Sequence, residues 1–115
     1  MGLQLANVTV DCDDTLAVAQ FWSAALGRPV DDGASDGFAS IGWGDDRTTG
    51  WFFIKVPEGK RAKNRMHVDL HADDREAEVD RLIGLGAKRH SDHDENDVRW
   101  TTLVDVEGNE FCVAG

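Results

Sequence analysis

His67, Asp69 and His71 occupy every second position of the segment Met66–Ala72, and Met66, Val68, Leu70 and Ala72 occupy the positions between them. A period of two places the sets on opposite faces of a strand. An imidazole with a carboxylate two residues away can hold a proton, because the carboxylate orients the ring and supports its charged form. A softer version of the alternation runs through Leu3–Cys12, with Asn7, Thr9 and Asp11 on one face and Ala6, Val8, Val10 and Cys12 on the other. The expected catalytic groups are therefore His67, Asp69 and Asp11, with Asn7, Thr9 and His71 lining a ligand. The same pattern also describes a sheet face that is simply wet, with a hydrogen-bonded histidine on it.

A second set of candidates sits later in each half. Trp51-Phe52-Phe53-Ile54 aligns in order with Glu110-Phe111-Cys112-Val113, Trp51 matching Glu110 and Phe53 matching Cys112. That parity puts Trp51 and Phe53 on the face that carries Glu110 and Cys112. Two aromatics there suit a planar or apolar ligand, and packing in a core or dimer is the competing use. Cys112 in so acidic a chain reads as a small apolar residue rather than a reactive thiol. His90 and His93 fall in the acidic run His90–Asp97, which reads as a solvated loop.

These positions need elements to hold them, and the chain carries two copies of such a set. Asn7–Asp14 (NVTVDCDD) is matched by His67–Asp74 (HVDLHADD), and each segment closes on Asp-Asp before a helix that ends in Leu-Gly. Val18, Phe21, Trp22, Ala25 and Leu26 form one helical stripe, and Val79, Leu82 and Ile83 form the other. Asp13 or Asp14 is a natural N-cap for the first helix. The second starts near Asp73, with Glu76 placed for a capping box. Shorter strands are predicted at Arg28–Asp31, Phe38–Trp43, Trp51–Val56, Ala87–His90, Val98–Val104 and Glu110–Ala114, with turns at residues 44–46 and 107–109. The order is βαβββ, twice. The fold class is α+β: two βαβββ modules in tandem, forming a curled, cleft-bearing mixed sheet with helices on the outside. One domain spans residues 1–115, with module one at about 1–58 and module two at about 65–115.

The chain has 115 residues, 41% of them hydrophobic, and a formal net charge of −10. That length suits one domain and that hydrophobic share can build a core. The acidity argues against nucleic acid, which rewards basic surfaces. Neither a membrane-spanning run nor a signal peptide is apparent. Two cysteines outside any CxxC motif fit reduced thiols and a cytoplasmic location. One basic stretch, Lys60 to Arg65, stands out as a solvated loop or an anion contact at a cleft mouth.

The element order, FWxxxLG at Phe21–Gly27, VPEGKxxKNRxHxDL at Val56–Leu70 and DxEGNEFCV at Asp105–Val113 together resemble the vicinal oxygen chelate superfamily, which includes glyoxalases, bleomycin-resistance proteins and dioxygenases. The nearest likeness is to its small glyoxalase-like branch. The resemblance implies a divalent-metal site on four strand positions, here Asn7, Phe53, His67 and Cys112. Only His67 and Cys112 are plausible ligands in that set, so no metal cofactor is expected as the rule. An irregular site using Asp11, His67, Asp69 and Glu110 is the minor alternative.

The resemblance implies a small organic partner in natural-product metabolism, or drug sequestration or resistance, and a homodimer. The leading expectation is a protein whose cleft binds a small, partly aromatic organic ligand. The alternatives are a glyoxalase-like lyase or isomerase moving a proton with His67 and Asp69 or Asp11, with or without a metal, and a non-catalytic interaction domain.

Overall fold

The computed structural model describes residues 2–45 and 47–115; Asp46, expected in the turn at 44–46, lies outside the described residues. The chain divides into two compact units, Met1–Gly59 and Lys60–Gly115.

The first unit contains β1 (Asn7–Cys12), α1 (Thr15–Leu26), β2 (Phe38–Ile41) and β3 (Gly50–Lys55). Its sheet has the order β1-β3-β2, with β1 parallel and β2 antiparallel to β3. Asp14 caps α1 by accepting from the Ala17 N–H at 3.2 Å. Gly27 ends the helix at φ 66°, a left-handed conformation that glycine adopts without a Cβ penalty. Val18, Ala19, Phe21 and Trp22 of α1 are buried with Ala39, Ile41, Trp51 and Phe53. Arg28–Asp31, expected as a strand, is instead a connection fastened by its side chains. Arg28 donates to the Thr49 carbonyl at 2.9 Å and to Thr48 Oγ1 at 2.8 Å.

The second unit contains β4 (Asp69–His71), α2 (Arg75–Gly84), β5 (Lys88–Glu95), β6 (Val98–Val104) and β7 (Glu110–Ala114), the full βαβββ order. The sheet runs β4-β7-β6-β5, with β4 parallel to β7 and the other neighbours antiparallel. Asp74, not Asp73, caps α2 by accepting from Ala77 N–H at 3.1 Å. Glu76 therefore falls one position short of a capping box and pairs with Arg75 and Arg89 instead. Val79 and Leu82 are buried with Leu103, Phe111 and Val113.

The run His90–Asp97 is not the loop its charge suggests. Most of it belongs to β5, and Asn96 and Asp97, at φ 52° and 63°, make the tight turn into β6. The strand forms because its polar side chains find partners. Asp92 accepts from the Thr101 hydroxyl at 2.8 Å and from Arg89 at 2.7 Å. His93 stacks on Trp100 at 4.8 Å. The Thr101 hydroxyl lowers the Asp92 carboxyl below its ordinary value; burial opposes this, and Arg89 adds to it. Among the described residues, no helix is long and apolar enough to cross a membrane.

Candidate functional site

Each sheet buries one face under its helix and leaves the other open, so register decides which side chains can meet a ligand. In the parallel β1–β3 pair, Val8 is opposite Trp51, Thr9 opposite Phe52 and Val10 opposite Phe53. Opposite residues share a face. Trp51 and Phe53 therefore lie with Val8 and Val10 on the helix side. Trp51 is 7% and Phe53 0% exposed, and Trp51 stacks on Trp22 of α1 with ring centroids 4.9 Å apart. The expectation that these two aromatics share the face of Glu110 and Cys112 is thus corrected. Phe52 takes the equivalent face of its own sheet, because the closing strands correspond as Trp51 to Phe111 and Phe52 to Cys112, in step with the match of Asn7 to His67 in the opening segments. A one-residue slip inverts every side chain.

The open face of the first unit carries Asn7, Thr9 and Asp11 on β1, as the alternation requires. Asn7 donates to Thr9 Oγ1 at 3.0 Å. Beside them Phe38, Trp43 and Phe52 form an aromatic cluster with centroids 5.3–5.8 Å apart. Asn7, Trp43, Asp45 and Phe52 border a shallow hollow of about 300 Å³. Asp31 holds the Trp43 turn, accepting from Ser40 Oγ at 2.7 Å, Trp43 N–H at 2.9 Å and Gly42 N–H at 3.2 Å. Burial works to raise the Asp31 carboxyl, but these donors and Arg28 outweigh it and leave it below its ordinary value.

The second unit brings four expected residues together. Asp69 is opposite Cys112 in the parallel β4–β7 pair, and Thr102 is opposite Cys112 across β6–β7. All three side chains therefore leave one face. His67 precedes β4, and its Nδ1 lies 2.8 Å from Asp69 Oδ1. A carboxylate only accepts, so Nδ1 donates and Nε2 of the neutral ring keeps its lone pair. His67, Asp69, Glu110 and Cys112 line one hollow of about 410 Å³ together with Lys63, Val98, Trp100, Thr102 and Ala114. Trp100 and Thr102 were not singled out from sequence as site residues, and Lys63 only as part of the basic stretch Lys60 to Arg65. The alternation of Trp100, Thr102 and Val104 on β6 is the signal that would have found two of them.

His71 shares the face but borders a different hollow, with Asp94, Asp97 and Arg99. Met66, expected on the buried face, is 87% exposed, because regular strand begins only at Asp69.

Glu110 is already engaged. Its carboxylate accepts from Lys60 Nζ at 3.1 Å and from the Asn64 N–H at 3.1 Å, fastening the basic segment beside the hollow. Burial pushes the Glu110 carboxyl up; the Asn64 N–H and Lys60 more than reverse that and leave it below its ordinary value. The basic stretch thus includes a strap tied to β7.

The metal site implied by the superfamily meets a poor donor set. With the register corrected, the four positions are Asn7, Phe52, His67 and Cys112. Phe52 has no donor atom, and Cys112 offers a sulfur rather than an oxygen. A hard ion such as Mn²⁺ wants oxygen and imidazole ligands, so these positions do not fit it. What the described residues do gather is His67, Asp69 and Cys112, whose ligand atoms lie within 4.8 Å of one another.

A family model for the glyoxalase-like domain matches residues 7–114. No curated protein matches the sequence. Among solved structures, a glyoxalase/bleomycin resistance protein/dioxygenase family enzyme from Burkholderia phytofirmans PsJN is similar at 17% identity and a TM-score of 0.78, covering 97% of this chain and 98% of that one. A mutant of the fosfomycin resistance protein FosX from Listeria monocytogenes, complexed with Mn(II) and 1S,2S-dihydroxypropylphosphonic acid, is similar at 10% identity and a TM-score of 0.80, covering 99% and 90%. A glyoxalase/bleomycin resistance protein/dioxygenase from Nocardioides is similar at 13% identity and a TM-score of 0.73, covering 99% and 83%. At these identities the solved structures speak for the fold alone, and the family model, spanning nearly the whole sequence, speaks for membership: the chain belongs to the glyoxalase-like domain family.

Proposed function

We propose that this chain binds a small, partly aromatic organic molecule on the open sheet face of residues 60–115. The hollow of about 410 Å³ carries the reading, because it combines an apolar wall with a few convergent polar groups. Val98, Trp100 and Ala114 offer the wall. Lys63, Thr102 and the His67–Asp69 pair offer charge and hydrogen bonds. Asn7, Thr9 and Asp11, with Phe52 in place of Trp51 and Phe53, remain candidates for ligand contact on the first unit's own open face. The ligand class fits a role in natural-product metabolism or drug sequestration. Titration of tryptophan fluorescence with a panel of small aromatic acids and ketones tests it. Saturable quenching that weakens in Trp100→Phe supports the proposal; a flat response to the whole panel removes it.

The 2.8 Å contact between His67 Nδ1 and Asp69 Oδ1 favours a second reading, proton transfer of the lyase or isomerase kind. His67 Nε2 would take a proton from carbon beside a carbonyl, and Asp69 would steady the charged ring. The test is exchange of a ligand C–H for deuterium in heavy water. Exchange lost in His67→Ala supports the base; exchange that survives it excludes His67. A homodimer also belongs to this proposal, and sedimentation velocity across a concentration series checks it.

A further inference from the structure

We infer that the molecule received on the open face of residues 60–115 is a planar aromatic anion, its ring stacked on the uncovered side of Trp100 above Ala114 and its acid group paired with Lys63. This rests on the binding proposed above and names the chemical class bound. The ring position follows from register. Trp100 is opposite His93 across β5–β6 and opposite Ala114 across β6–β7, so the three side chains form one row on the open face. His93 lies nearly parallel to the indole, at 13° and 4.8 Å between centroids, and covers one side of it. The other side turns toward Ala114, whose methyl group leaves a notch, and both residues border the hollow of about 410 Å³. Neighbouring strands are about 4.8 Å apart, so a ring over Ala114 stands within the roughly 4.5–7 Å range of aromatic pairs. A larger residue in that row would fill the place.

The charged groups around the hollow set the sign of the ligand. Glu110 accepts from Lys60 Nζ at 3.1 Å and from the Asn64 N–H at 3.1 Å. Asp69 accepts from His67 Nδ1 at 2.8 Å. Each carboxylate therefore already has its donors, and a cationic ligand would have to compete with them. Lys63 is the converse case. Among the described residues no carboxylate pairs with it, and its ammonium donates to the Asn64 carbonyl at a long 3.4 Å. An ammonium carries three N–H donors, so what the hollow lacks is a negatively charged acceptor. The backbone that carries Lys63 is anchored on both sides. Lys60 donates to the Ala62 carbonyl, and the Asn64 side-chain amide reaches the Glu110 carbonyl at 3.5 Å. An acid group brought in beside a stacked ring is partly shielded from water, which strengthens its attraction to the ammonium over that of a fully solvated pair.

The test is calorimetric titration of the full chain at neutral pH with three probes that share one ring system: naphthoate, the matching naphthamide and the matching naphthylmethylammonium. Naphthoate should bind about tenfold or more tightly than either of the others. Lys63→Met should lower naphthoate to the affinity of the naphthamide, and Lys63→Arg should keep the preference. Ala114→Leu should weaken all three by filling the notch. Lys63 is exposed, so its variants decide the charge even where Ala114→Leu fails to fold. Equal affinity for acid and amide, a preference for the cation, or a preference that survives Lys63→Met overturns the inference and leaves the binding reading standing. Undiminished binding in a folded Ala114→Leu overturns the ring position. Silence from all three probes overturns the inference as well, and silence from the wider organic panel removes the proposed function with it.

Discussion

Asp69 lies directly across from Cys112 in the parallel β4–β7 pair, and Thr9 lies in the same way across from Phe52 in β1–β3. The two modules thus repeat one geometry in step, Thr9 answering to Asp69 and Phe52 to Cys112. They fill it differently: a carboxylate and a thiol in one, a hydroxyl and an aromatic ring in the other. The duplicated frame is shared, and the chemistry gathers in the second copy.

The register makes opposite demands on adjacent aromatics. Trp51→Ala removes a buried ring stacked on Trp22 and should cost about 3–5 kcal/mol. Phe52→Ala, on the open face, should cost about 1 kcal/mol. Urea denaturation of both variants checks the order; Phe52→Ala proving the costlier would contradict the face assignment.

Glu110 ties the basic strap to β7, and Glu110→Gln should destabilise the protein by about 1–3 kcal/mol at neutral pH. Because the folded protein holds this carboxyl below its ordinary value, its stabilisation is complete above that ordinary value and is lost as pH falls through the lower, folded one. The gap in urea midpoint between wild type and Glu110→Gln should therefore shrink toward zero as the solution is acidified through and below the ordinary carboxylate range. A gap that grows on acidification would reverse the sign.

Asp31 gathers three donors at the turn that carries Trp43. Asp31→Ala should cost about 1–3 kcal/mol by orphaning them. It should also shift the emission of Trp43, which is 68% exposed, without moving that of buried Trp22 and Trp51. Comparison with a Trp43→Phe background assigns the shift.

Gly42 stands at φ 72°, and a Cβ there would collide with Arg28 Nη2. Gly42→Ala should cost about 1–2 kcal/mol for the left-handed backbone, and more where Arg28 must abandon Thr48 and Thr49. Adding Arg28→Ala should return part of the loss, which a double-mutant cycle in urea measures.

Much of this architecture is legible in the chain. Asp14 and Asp74 cap their helices at matching places in the repeat, and Asn7, Thr9, Asp11, His67 and Asp69 fall on the open side as their alternation requires. The closing strands mislead because Trp51-Phe52-Phe53 is apolar throughout, so no alternation marks its faces and only pairing with β1 fixes them. β5 misleads in the other direction. Its charges look solvated, and they become a strand through cross-strand partners that local sequence does not reveal. From sequence Glu110 is only a residue on the face of Cys112; its partners, Lys60 Nζ and the Asn64 N–H, come from a segment whose placement local sequence does not reveal.

The proposed function depends on the open face of residues 60–115 receiving a small organic molecule. Amide shift mapping by NMR, with the aromatic panel titrated into isotope-labelled protein, tests it most directly. Saturable shifts should cluster at His67, Asp69, Trp100, Thr102 and Cys112. Shifts confined to the helix-covered faces, or no saturable shift with any member of the panel, would contradict it.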